Sequence, residues 1–170
     1  DNKNNIEFTE TKSENLFYGF TFFIVLQIII PFRHILYPGD LFWNEEGFRF
    51  SWRVMLMHKE GLAQFYIHDS KTGGEIEVMN SDYLTRKQEE QMSTQPDMLI
   101  QFAHHLQQEF KDKSLKINNQ TYQIKNPTVH ANVYVTLNGR PSQLMISKNV
   151  DLSAQTYNLQ HRDWLENFKD

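Results

Sequence analysis

The stretch Asn15-Leu16-Phe17-Tyr18-Gly19-Phe20-Thr21-Phe22-Phe23-Ile24-Val25-Leu26-Gln27-Ile28-Ile29-Ile30-Pro31-Phe32 runs for 18 positions without a charged residue. A membrane-crossing helix needs roughly 17–25 predominantly apolar residues, so the length fits. Gly19, Thr21, Gln27 and Pro31 dilute it, and a mean hydropathy of -0.60 makes the rest of the chain water-compatible. Three placements compete on these residues alone: a buried core helix, an edge-to-core strand, and the end of a membrane-embedded or interfacial helix. Ser13 and Glu14 suit a helix start, and Pro31 followed by Arg33-His34 suits a stop.

Beyond Phe32 the character changes. Tyr37-Pro38-Gly39-Asp40 is a turn signal, proline fixing one dihedral and glycine freeing another. In Phe48-Arg49-Phe50-Ser51-Trp52-Arg53-Val54-Met55-Leu56-Met57, apolar side chains alternate with Arg49, Ser51 and Arg53. Period two predicts a half-buried strand. Gln64 to Asp69 and Glu75 to Met79 are further strands, joined by the hairpin loop Ser70-Lys71-Thr72-Gly73-Gly74.

Between Thr85 and Lys111 the period becomes helical. Leu99, Phe102, Ala103, Leu106 and Phe110 share a face, behind Gln95 as cap and Pro96-Asp97 as first turn. A shorter helix is predicted from Thr85 to Met92. Strands return at Leu115–Ile117 and Tyr122–Ile124 around Asn118-Asn119-Gln120. They recur at Val129–Leu137 and Gln143–Ile146 around Asn138-Gly139, the strongest turn dipeptide in the chain. The sum is an α+β domain: a mostly antiparallel sheet with one main helix, preceded by an apolar segment.

Composition narrows the chemistry. With 170 residues the chain is about one domain long, and 17 Lys plus Arg against 21 Asp plus Glu leave a net charge of -4. No nucleic-acid partner is expected of such a charge balance. The absence of cysteine removes disulfides, zinc thiolates and thiol nucleophiles. The seven histidines show no metal-ligand spacing: His104 and His105 are adjacent, and His58 and His68 sit at strand ends. Thr72-Gly73-Gly74 opens a strand rather than a helix, which suits a hairpin better than a phosphate loop. Asn119-Gln120-Thr121 matches a glycosylation triplet. The polar opening from Asp1 to Glu10, without Met or a basic n-region, reads as the start of a piece of a longer protein.

Chemistry-bearing side chains are densest from Trp43 to His58: Glu45, Glu46, Arg49, Ser51, Trp52, Arg53 and His58. On a strand, Arg49, Ser51 and Arg53 share the face opposite Trp52. Their guanidiniums then lie about 13 Å apart around a hydroxyl, an arrangement able to hold a carboxylate. The alternative is a solvated face with both arginines paired to neighbours such as Glu45.

The motifs Ile30-Pro31-Phe32-Arg33-His34, Leu36-Tyr37-Pro38-Gly39-Asp40 and Gly47-Phe48-Arg49-Phe50-Ser51-Trp52-Arg53-Val54-Met55-Leu56-Met57 resemble the vitamin K-dependent γ-carboxylase family in its bacterial branch. So do Gln95-Pro96-Asp97-Met98-Leu99-Ile100-Gln101-Phe102-Ala103-His104 and Val133-Tyr134-Val135-Thr136-Leu137-Asn138-Gly139-Arg140-Pro141-Ser142-Gln143. The similarity runs with gaps from about Phe20 to Trp164, and Lys113 to Lys125 reads as an inserted hairpin.

The resemblance implies a C-terminal extracytoplasmic region of a membrane enzyme. Residues 1–14 form a polar leader, 15–34 the end of the membrane region, and 35–170 the extracytoplasmic domain. In that family, oxygenated vitamin K hydroquinone supplies a strong base that removes a γ-proton from protein glutamate. Carbon dioxide then adds, giving γ-carboxyglutamate and the quinone epoxide. The initiating lysine belongs to the membrane portion, so this chain alone is expected to be inert.

Implied partners are a glutamyl protein or peptide, the N-terminal membrane bundle and membrane lipid. Implied substrate-binding residues are Ser51 and Trp52, with Arg49, Arg53 and His58 beside them. The chain departs from the animal pattern, which has an acidic residue at Arg53, tyrosines at Phe48 and Phe50, and a histidine at Met57. A structural or peptide-docking module working through a sheet edge is the alternative.

Overall fold

The computed structural model describes residues 10–53, 57–69, 71, 73–117 and 120–169. Helix α1 (Glu10–Phe32) carries Pro31 in its last turn and passes into a 3-10 turn at Arg33–Leu36. It is described from Glu10, ahead of the start expected at Ser13-Glu14. Every side chain from Glu14 to Ile30 stands exposed, which excludes the buried-core and strand placements. The span Glu14–Leu36 is long and apolar enough to cross a membrane. Most of the predicted polar leader lies outside the described residues.

Behind this helix come the one-turn α2 (Leu41–Asn44) and a four-stranded antiparallel sheet whose strands lie in the order Glu75–Val78, Lys59–Asp69, Pro127–Leu137, Gln143–Ile146. Its strands are β1 (Lys59–Asp69), β2 (Glu75–Val78), β5 (Pro127–Leu137) and β6 (Gln143–Ile146). β5 alternates faithfully: Val129, Ala131, Val133, Val135 and Leu137 are buried while His130, Asn132, Tyr134 and Thr136 face outward. β1 presents Ala63, Phe65 and Ile67 to the same side, in register with Val133, Ala131 and Val129. Asn138 and Gly139 take positive φ after β5, as a tight right-twisting hairpin requires.

Helix α3 (Arg86–Met92) starts on a reciprocal cap between Thr85 and Gln88. Helix α4 (Pro96–Phe110) lays Leu99, Phe102, Ala103, Leu106 and Phe110 on the sheet. The Phe65 and Phe102 rings meet edge to face at 5.0 Å. Gln95 is the N-cap residue of α4, although its side chain makes no capping bond.

The hairpin β3 (Ser114–Ile117) and β4 (Gln120–Gln123) forms a separate two-stranded sheet. Asn118 and Asn119 of that turn and triplet lie outside the described residues, as do Ser70 and Thr72.

β1 begins five residues before its predicted start at Gln64. Lys59, Glu60 and Gly61 carry no strand signal, but pairing with β5 extends from Lys59–Leu137 to Asp69–Pro127. Gly61 is required by close approach. A Cβ there would sit 2.7 Å from the Ser93 carbonyl oxygen, where α3 ends against the strand.

Candidate functional site

The site grows from the join between α1 and the domain. Asp40 caps α2 by accepting the Trp43 amide at 2.9 Å. Trp43 is completely buried, its indole N–H donates to the Glu166 carbonyl at 2.8 Å, and its ring packs on Phe168. Glu45 then ends the helix in the left-handed region at φ 57°. Gly47 (φ 72°) lies so close to the turn after α1 that a Cβ would fall 2.7 Å from the His34 Cα. The segment that follows is thereby pressed against the end of the apolar helix.

Here the strand expected over 48–57 is corrected. Residues 46–50 form successive turns that continue as bends at Ser51 and Trp52, and 54–56 lie outside the described residues. Phe50 (φ 65°) and Trp52 (φ 56°) adopt left-handed backbone, and Phe48 O accepts both the Ser51 amide at 3.1 Å and its hydroxyl at 2.6 Å. β5 pairs along one whole edge of β1, and β2 covers Phe65 to His68 of the other, where the Gly61 and Ala63 carbonyls already accept from the Ser93 hydroxyl and the Asn80 amide. Arg49, Ser51 and Arg53 therefore do not share a strand face. Left-handed non-glycine residues are strained, and such strain gathers at binding and catalytic loops.

The turns send the predicted site residues to different places. Trp52 and Phe50 project outward, 69% and 73% exposed, over a groove of about 810 Å³ whose other wall is Gln27 to Leu36. Ser51 is buried beneath them, its hydroxyl proton spent on the Phe48 carbonyl. Arg53 reaches back to His34, donating to Nε2 at 3.3 Å, and its guanidinium lies over the Phe42 ring. The His34 Nδ1 lies 2.8 Å from the Pro31 carbonyl. A carbonyl only accepts, so Nδ1 carries the proton and Nε2 accepts from Arg53.

Arg49 turns the other way. Its partners are Asp97 at 3.2 Å and the Tyr157 hydroxyl, not Glu45. Asp97, in the first turn of α4, also binds Arg162, and the buried Glu46 accepts from the Arg162 amide and from His161 Nδ1. His58 is apart from all of these, exposed at the start of β1 and 3.1 Å from Glu60. The structure thus brings Phe50 and Trp52 together with the helix end, and separates Arg49 and His58 from them.

Two features escaped the sequence reading. One is Arg33, which lines both the apolar groove and the polar cleft holding Arg49 and Asp97. The other is Lys59, whose ammonium donates to Glu45 at 2.8 Å and to the Trp43 carbonyl at 2.9 Å while its side chain is only 4% exposed. Burial lowers the Lys59 pKa below its usual 10.5, and Glu45 opposes this.

A lysine with a depressed folded pKa binds fewer protons folded than unfolded between that value and 10.5. Stability from this group therefore rises as pH climbs through that alkaline window. The stability of the wild type minus that of Lys59→Met is expected to grow toward pH 10.5 in denaturant titrations; a flat or falling difference refutes the assignment.

The sequence matches the family model described as "Vitamin K-dependent gamma-carboxylase, lumenal domain" over residues 12–170. The chain belongs to that family. No solved structure matches it. As a lumenal-domain member of the γ-carboxylase family, the chain is a domain of such a membrane enzyme, and its exposed α1 is long and apolar enough to cross a membrane. The matched region takes in the whole join between α1 and the 45–53 turns, so the strained loop belongs to this γ-carboxylase domain rather than to an appendage.

Proposed function

We propose that this domain holds the glutamyl substrate of a vitamin K-dependent γ-glutamyl carboxylase-like membrane enzyme, on the extracytoplasmic side and C-terminal to the membrane bundle. On this reading the parent enzyme consumes vitamin K hydroquinone, dioxygen and carbon dioxide. Carboxylation of protein glutamate is coupled to epoxidation of the quinone. The observation that carries the reading is Trp52. With the buried Ser51 it is one of the two residues the resemblance assigns to substrate, and it stands exposed on a groove shared with the end of the apolar helix.

The groove suits binding more than chemistry. Among the described residues Arg33 is its one ionisable lining residue, and a guanidinium cannot take up a proton at neutral pH. Deprotonation is therefore assigned to the membrane portion, and this chain to holding and orienting substrate. The sheet-edge alternative is weakened at β6, whose Met145 carbonyl already accepts the Glu166 amide from the C-terminal tail.

Trp52→Ala in the full-length enzyme is expected to raise KM for a glutamyl peptide about tenfold, the cost of removing an aromatic anchor. The melting temperature should hardly move, because the side chain is exposed. The isolated chain is the blank in this assay, with no turnover expected. An unchanged KM in the folded variant, or turnover by the isolated chain, counts against the proposal.

A further inference from the structure

Arg33 stands at this join without an ion-pair partner among the described residues. It follows directly on α1, where the helix ends in unsatisfied carbonyls, yet its neighbour His34 has taken the Pro31 carbonyl. Its Nε is buried and lacks a hydrogen-bond partner among the described residues. The carboxylates nearby are committed elsewhere. Glu45 binds Lys59, Glu46 binds His161 and the Arg162 amide, and Asp97 binds both Arg49 and Arg162. Arg33 faces the apolar groove on one side and the polar cleft on the other.

We infer that Arg33 receives the carboxylate of an acidic side chain whose aliphatic stem lies in the groove between Ile28–Leu36 and the Phe50–Trp52 turns. The inference rests on the reading above and adds the residue that recognises charge. A guanidinium presents Nε–H and one terminal N–H as a parallel pair that matches the two oxygens of a carboxylate. An orphaned Nε–H beside an apolar wall is half of that pair already desolvated. An anion entering there satisfies it, whereas the apolar walls accept the methylenes of a glutamyl stem. Charge complementarity thus selects an acidic occupant over a neutral one of the same shape.

The test uses the full-length enzyme in phosphatidylcholine vesicles, comparing a glutamyl peptide with its glutaminyl isostere. Arg33→Gln is expected to weaken binding of the glutamyl peptide roughly ten- to hundredfold, the loss of a charge-assisted bond, with kcat at saturation little changed. The glutaminyl peptide should bind wild type and Arg33→Gln alike, and Arg33→Lys should recover part of the loss. Unchanged glutamyl affinity in folded Arg33→Gln overturns the inference; if Trp52→Ala still weakens binding, the substrate-holding reading survives without it. An Arg33 effect that appears only when anionic phosphatidylglycerol is added overturns it too, assigning Arg33 to a lipid headgroup.

Discussion

Trp43→Ala is expected to cost about 3–5 kcal/mol of unfolding free energy, the range for truncating a fully buried large aromatic. The indole is wholly out of solvent, and its N–H satisfies the Glu166 carbonyl. Its removal leaves a cavity, an orphaned carbonyl and a Phe168 ring that keeps the Arg140 guanidinium on it but loses the indole. The C-terminal tail should then loosen, since Glu166 also holds the edge of β6 through its amide. Chemical denaturation measures the loss, and hydrogen exchange should show faster exchange at the Glu166 amide. A cost under about 1 kcal/mol would mean that the tail is not anchored through this residue, because that is no more than an average point substitution costs.

Asp97→Ala is the second large effect, expected at about 3 kcal/mol because it strands a buried charge. Asp97 bridges Arg162, whose side chain is 13% exposed, and Arg49, whose side chain is 59% exposed. Most of the loss belongs to Arg162, since solvent screens the stranded Arg49. Pairing Asp97→Leu with Arg162→Leu should therefore recover much of the stability, because no unpaired charge remains inside. If the double variant is as unstable as Asp97→Ala, the damage comes from packing and not from the stranded guanidinium. Asp97→Ala should also free Arg49, and with it the turns that carry Phe50 and Trp52. KM for the glutamyl peptide should rise alongside the fall in stability.

The elements read correctly in advance are those whose signal is local. The hairpins around Gly73-Gly74 and Asn138-Gly139 are written in their turn residues. Helix α4 is written in Pro96-Asp97 and in its period of apolar residues. The segment 48–53 reads as a strand in sequence because Phe48, Phe50 and Trp52 alternate with polar residues as a strand does. Alternation records which side chains meet apolar surroundings, not what those surroundings are. Here the surroundings include the end of α1, reached by left-handed turns at Phe50 and Trp52. The Trp43–His58 stretch is dense in charged and polar side chains, but the partners of Arg49, Glu46 and Lys59 lie on other elements. Asp97, His161, Arg162 and the Trp43 carbonyl are brought to them only by folding.

By itself the sequence determined an antiparallel α+β domain behind an apolar helix, and the family to which both belong. Turn chemistry, helix period and hydropathy act over a few residues and need no partner. Only the tertiary structure decided that Phe50 and Trp52 line a groove with the helix end, that His58 lies elsewhere, and that Arg33 has no carboxylate among the described residues. Ion pairing and burial depend on what arrives from distant parts of the chain, and no local pattern specifies which cation is paired last.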